Sequence, residues 1–157
     1  MPPVTTSPPV PLGAVPSRVL VIGCGNTLFG DDGVGPLVAE RIGDWCRPGV
    51  LALAVHQLTP ELTADLAATE LFIFVDASVR GETVECVPLG ANDAPDNTLD
   101  HALTPGALLA LCRSAFGRAP PALAVLVPGE DFTLGHALSK RAQSGFERAV
   151  ELIAQRL

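Results

Sequence analysis

The run Gly23-Cys24-Gly25-Asn26-Thr27-Leu28-Phe29-Gly30-Asp31-Asp32-Gly33-Val34-Gly35-Pro36 constrains this chain more than any other. It follows a short apolar strand pattern, Val19-Leu20-Val21-Ile22, and leads into a helical pattern. A glycine-rich turn between a strand and a helix is the junction from which α/β domains are built, and ligands collect there. This turn also delivers two adjacent carboxylates, Asp31 and Asp32, to the helix start. Such a pair repels a pyrophosphate and suits a cation.

The rest of the chain repeats the alternation. Strand patterns cover Arg18–Gly23, Val50–His56, Glu70–Asp76, Glu82–Pro88 and Ala122–Val127, and helical patterns cover Gly33–Cys46, Pro60–Ala68, Pro105–Phe116 and Leu138–Leu157. Thr59 before Pro60 and Thr104 before Pro105 each place a capping hydroxyl ahead of a first-turn proline. Asp31 or Asp32 is expected to cap the first helix in the same way. In the last helix Ala142, Phe146, Ala149, Val150, Ile153 and Leu157 fall on one face. Only Ser78-Val79-Arg80-Gly81 separates the third strand from the fourth, too short for a parallel crossover, so the fourth is expected to pair antiparallel as a hairpin. The expected fold is α/β: a three-layer αβα single domain with a mostly parallel five-stranded sheet and one antiparallel strand.

Composition narrows the partners. A net charge of −7 disfavours nucleic acid and anionic membrane. No apolar run approaches the ~18 residues of a transmembrane helix. Residues 1–17 hold six prolines and no charged side chain, and are expected to form a disordered tail ahead of a domain spanning 18–157. Cys24, Cys46, Cys86 and Cys112 contain no C-x-x-C pair and no signal peptide precedes them, so they read as reduced thiols of a cytoplasmic protein. Most are small buried hydrophobes on this reading; Cys24 stands apart because it lies beside the acidic turn.

In open parallel sheets ligands bind outside the carboxyl ends of the strands, where strand order reverses. With a 2-1-3 order, Asp32 after the first strand and Asp76 at the end of Leu71-Phe72-Ile73-Phe74-Val75 reach one crevice, and Glu130-Asp131 after the fifth strand line its edge. An acid closing so apolar a strand either turns the chain or holds a ligand. His101 lies in a loop long enough to reach the same place. Two carboxylates and an imidazole make a site for a divalent cation with positions left for water or substrate. A nucleotide site is poorly supported, since Leu28 replaces the third glycine of G-x-G-x-x-G and His56-Gln57, not an acid, end the second strand. An aspartic dyad is the other two-carboxylate device, but neither Asp32-Gly33-Val34 nor Asp76-Ala77-Ser78 carries its Asp-Thr-Gly signature.

Val21 through Gly35 resembles the opening motif of the [NiFe]-hydrogenase maturation endopeptidases. The resemblance continues through Phe74-Val75-Asp76-Ala77, through His101 and Leu103 ahead of the helix from Pro105, and through Pro128-Gly129-Glu130. It implies a single α/β domain that removes a C-terminal extension from a hydrogenase large-subunit precursor; the modest size and single expected crevice point to a monomer. It further implies Asp32, Asp76 and His101 as metal contacts, with Asp32 and Asp76 catalytic. The metal is nickel already inserted in the precursor and serving as the recognition signal, and no nucleotide cofactor is implied. Whether metal or carboxylate activates the water stays open. Asn26, His56, Thr59 and Glu130 are expected to face the precursor. Where many members carry an Asp-Gly-Gly turn this chain has His56-Gln57-Leu58-Thr59, a departure that bears on partner choice and makes His56 an additional candidate ligand. The alternative reading is a nickel-binding maturation chaperone on the same fold, without catalysis.

Overall fold

The computed structural model describes residues 18–91 and 103–157. The tail assigned to 1–17 and the candidate ligand His101 therefore lie outside the described residues. Strands β1 (Val19–Cys24), β2 (Val50–Val55), β3 (Leu71–Ser78), β4 (Glu85–Leu89) and β5 (Ala122–Pro128) form one sheet in the order β2-β1-β3-β5-β4. Helices α1 (Val34–Asp44), α2 (Thr63–Ala67), α3 (Pro105–Phe116) and α4 (Lys140–Ala154) cover it. A 3-10 turn over Gly30–Gly33 leads into α1, and another over Pro60–Leu62 leads into α2.

Strand alternation divides the core into two layers. Val19, Val21, Ile73, Val75, Val125 and Val127 face α1 and α4, where Val34, Val38, Ile42, Phe146, Ala149 and Ile153 close over them. Leu20, Ile22, Phe72, Phe74 and Ala124 face the opposite way, against Leu62, Leu66, Leu108, Leu109 and Cys112 of α2, α3 and the turn before α2. Burying apolar side chains on both faces is what a central parallel sheet requires. The single-domain three-layer architecture is therefore as the sequence predicts, and β1, β2, β3 and β5 run parallel.

The fourth strand departs from expectation. β4 does not form a hairpin with β3; it pairs antiparallel with β5, which lies between them. The physical reason lies in the two strands themselves. β5, Ala-Leu-Ala-Val-Leu-Val-Pro, buries side chains on both faces and needs a central position, whereas β4 carries the exposed Glu85 and Pro88. Proline cannot donate to a ladder and is confined to edges, which is where β4 sits. Thr104 caps α3 by accepting from the Ala107 N–H at 3.1 Å. Thr59 makes no cap bond; its hydroxyl is engaged with the Glu61 carboxylate, which helps to hold that acid below its ordinary range.

Candidate functional site

The carboxyl ends of β1 and β3 meet side by side. Gly23 pairs with Val75, which sets Cys24 next to Asp76 one residue further on. Both continue the face that carries Leu20, Ile22, Phe72 and Phe74. This is the end of the sheet to which the opening turn returns.

The turn is built around Asp32. Asp32 Oδ2 accepts the Asn26 N–H at 2.8 Å, Asn26 Oδ1 accepts the Leu28 N–H at 2.9 Å, and the Asn26 carbonyl accepts the Phe29 N–H at 3.1 Å. Gly25 makes this path possible: its φ is +146°, and a Cβ there would lie 1.9 Å from the Asp32 carbonyl oxygen. Asn26 thus uses its side-chain carbonyl within the turn. Neither acid caps a helix with its side chain, contrary to expectation. A 3-10 turn occupies that position, and each carboxylate is drawn to a more distant partner.

Asp31 and Asp32 have opposite surroundings. Asp31 is fully buried and ties the turn to the segment between β5 and α4. Its Oδ2 accepts from the Glu130 N–H (2.8 Å), the Asp131 N–H (3.0 Å) and the Ser139 hydroxyl (2.7 Å), and its Oδ1 accepts from the Ser139 N–H (2.7 Å). Burial alone would raise its pKa; these donors outweigh it and hold the carboxyl below the usual range. Ser139 also caps α4 through the Ala142 N–H, a partnership no local sequence signal announces.

Asp32 and Asp76 are half-buried and lightly bonded. Asp76 Oδ1 accepts the Ala77 N–H at 2.8 Å. Each of the two carboxylates leaves its other oxygen without a protein donor among the described residues. Burial at the strand end pushes the Asp76 pKa up to about 7, against the Ala77 N–H, which pulls it down, and with the Asp32 charge adding to the rise. Burial, then the charges of Asp76 and Asp32, push the Cys24 thiol up to about 11. The thiol donates to the His56 carbonyl at 3.4 Å. A half-buried acid strained toward its neutral form, with a second acid beside it and a free oxygen on each among the described residues, suits a divalent cation, which would favour the charged form of Asp76.

The other sequence candidates lie around this pair. His56 is exposed and lines a cleft of about 160 Å³ with Thr27, Pro36 and Glu40, on the α1 side. Thr59 is half-buried ahead of the 3-10 turn. Glu130 turns its carboxylate to Arg141 of α4 at 3.7 Å and gives its backbone N–H to Asp31. Its contacts therefore run to α4 and the structural acid rather than to Asp32 or Asp76, because the β5–α4 segment folds onto Asp31. Among the described residues no three His, Cys, Asp or Glu side chains are gathered closely enough to hold a metal ion alone. His101 lies outside those residues. Leu103, two positions later, packs against the layer that carries Cys24.

No protein-family model and no curated protein matches the sequence. Solved structures do match. The chain is 26% identical to the [NiFe] hydrogenase maturation protease HycI from Thermococcus kodakarensis KOD1, with a TM-score of 0.70 over 88% of this chain and 91% of that one. It is 25% identical to a hydrogenase 2 maturation peptidase from Thaumarchaeota archaeon SCGC_AB-539-E09, with a TM-score of 0.66 over 89% and 97% of the two chains. The hydrogenase maturating endopeptidase HybD from E. coli shares the fold at 23% identity, with a TM-score of 0.67 over 89% and 91%.

Proposed function

Because the chain belongs to the structural family of the [NiFe] hydrogenase maturation proteases, we propose that it is an endopeptidase acting in hydrogenase maturation. On this reading it removes the C-terminal extension of a large-subunit precursor after nickel has been inserted. The observation that carries the proposal is Asp32, in the turn that follows β1, lying close enough to Asp76 at the end of β3 for its charge to raise the Asp76 pKa, each with a carboxylate oxygen uncommitted among the described residues.

The nickel arrives as part of the substrate, held by the precursor. Asp32 and Asp76 contribute oxygen ligands from the enzyme side and His101 contributes an imidazole. Docking brings the scissile peptide to the same crevice. Water adds to its carbonyl carbon, the C–N bond breaks, and the proton taken from water is returned to the departing amine. In the free enzyme Asp76 has a pKa of about 7, so it sheds its proton readily when the precursor's cation docks beside it. The substrate is a protein, and no helix of the described residues is long and apolar enough to cross a membrane.

The test is precursor processing followed by mass spectrometry, with nickel-loaded and nickel-free large subunit. Wild type should shorten the nickel-loaded precursor only. Asp32→Ala, Asp76→Asn and His101→Ala should stay folded and leave the extension in place. Processing by all three variants at the wild-type rate would refute the proposal. A stable complex between wild type and precursor, without loss of mass, would instead favour the nickel-binding chaperone.

A further inference from the structure

The turn that holds Asp32 also projects apolar side chains that its fold does not need. Leu28 is 61% exposed and Phe29 39% exposed, four and three residues from Asp32. Leu134, in the segment between β5 and α4, is 63% exposed. The two segments are joined directly, since the Gly135 N–H donates to the Leu28 carbonyl at 2.7 Å. Asp31 clamps them a second time through Glu130, Asp131 and Ser139. The leucines therefore stand on backbone fixed relative to the proposed metal contact.

We infer that Leu28, Phe29 and Leu134 form a docking rim that recognises an apolar surface of the precursor bordering its nickel; this rests on the function proposed above. The occupant follows from continuity. Asp32 is half-buried within the turn, so a protein that brings its metal to Asp32 must also meet residues 27–29. A small ligand would have no such obligation. Asp131 and His136 of the same segment engage each other, Oδ2 to Nδ1, at 2.7 Å. In a chain of net charge −7, an apolar rim beside the site, whose nearest acid is already hydrogen-bonded, is a surface a protein partner can desolvate at little cost. Beside it Thr27, His136 and Leu138 line a cleft of about 410 Å³, large enough to take a side chain from the docked partner. Apolar side chains held on rigid backbone lose little conformational freedom when a partner buries them.

The test measures processing kinetics of the nickel-loaded precursor by Leu28→Ser/Leu134→Ser and by Phe116→Ser. Phe116 is 51% exposed at the end of α3, which leads into the start of β5, at the opposite end of the parallel strands from Asp76. Circular dichroism and thermal melting confirm that both variants fold. The double variant should raise KM by roughly tenfold or more, the loss expected when two anchor side chains stop being buried, with kcat within about twofold. A parallel binding titration with precursor, in the inactive Asp76→Asn background, should show the same weakening. Phe116→Ser should match wild type. An unchanged KM and unchanged binding in the double variant, beside a wild type that processes normally, overturns the rim and leaves the proposed function standing. A wild type that neither binds nor shortens the precursor overturns both. Should the double variant melt early, Leu28→Met/Leu134→Met, which keeps an apolar rim, must restore wild-type KM; failure to restore it also overturns the rim.

Discussion

Asp31 and Asp32 are neighbours of identical chemistry, yet the structure predicts opposite consequences for their loss. Asp31→Ala deletes a fully buried carboxylate and strands four donors, at Glu130, Asp131 and twice at Ser139. Hydrogen bonds to a charged group contribute about 1.5–3 kcal/mol each, so a naive sum exceeds ~6 kcal/mol. The sum overshoots because the bonds share one acceptor and are not additive. Ser139 can also rotate its hydroxyl, and water can reach the exposed stretch 133–137. A loss of about 3–5 kcal/mol is the reasoned figure. Asp32→Ala removes a single bond, to the Asn26 N–H in a half-buried turn, and should lose about 1 kcal/mol. Asp31→Asn falls between them, at about 2–3 kcal/mol: its carbonyl can serve the three donors on one side, while its NH2 must oppose the Ser139 N–H. Urea unfolding reads the series directly. With m near ~2 kcal/mol/M, Asp31→Ala should lower the midpoint by about 2 M and Asp32→Ala by about 0.5 M. If Asp32→Ala destabilised as much as Asp31→Ala, the separation of a structural acid from a functional one would be wrong.

Three further outcomes follow from the same geometry. Asp76 has a folded pKa of about 7 against an ordinary value of 3.8, so the folded state binds its proton more tightly, and stability from this group is present below about pH 4 and lost as pH rises to about 7. Asp76→Asn should therefore be more stable than wild type at pH 8 and lose that advantage near pH 4; urea midpoints at both values that fail to converge at low pH would count against the buried-acid reading. Cys24, pushed up to about 11, should be thiolate in only about one molecule per thousand at pH 8, so iodoacetamide should label the exposed Cys46 well before Cys24, as peptide mapping will show; equal labelling rates would contradict the burial. Gly25→Ala drives a Cβ to within 1.9 Å of the Asp32 carbonyl at a φ of +146° and should destabilise by about 3 kcal/mol; a melting temperature within about 2 °C of wild type would show that the turn can relax around it.

Most of the frame was legible in the sequence because it rests on local signals. The strand and helix positions follow from apolar runs, prolines at helix starts and the glycine-rich turn, and the β2-β1-β3 neighbourhood follows from the parallel connections. What was not legible depends on partners far away in the chain. Nothing near residue 78 announces that β5, more than forty residues later, will insert beside β3 and displace β4 to the edge; only the comparison of Glu85 and Pro88 with the wholly apolar β5 hints at it. Asp31 is the sharper instance. Its donors lie at positions 130, 131 and 139, about a hundred residues away, and no helix-cap rule identifies it. Glu130 is another case of a distant partner: the β5–α4 segment sets its carboxylate 3.7 Å from Arg141 of α4, which no neighbouring residue announces.

The same contrast explains why the pair at the sheet end reads as a site rather than as structure. A fold that needed Asp76 only to finish β3 would give its carboxylate several donors, as it does for Asp31. Instead Asp76 has one backbone N–H, a neighbouring Asp32 that raises its pKa further, and the Cys24 thiol alongside. Burial and the Asp32 charge lower the stability of the charged state, and the single Ala77 N–H, which favours it, does not offset them. Natural folds tolerate such local conflict chiefly where a ligand resolves it. A cation brought to Asp32 and Asp76 would relieve this conflict, by favouring the charged form of Asp76 and lowering the thiol pKa beside it. The unrelieved acid, more than the glycine-rich motif itself, is the observation on which the proposed metal contact rests.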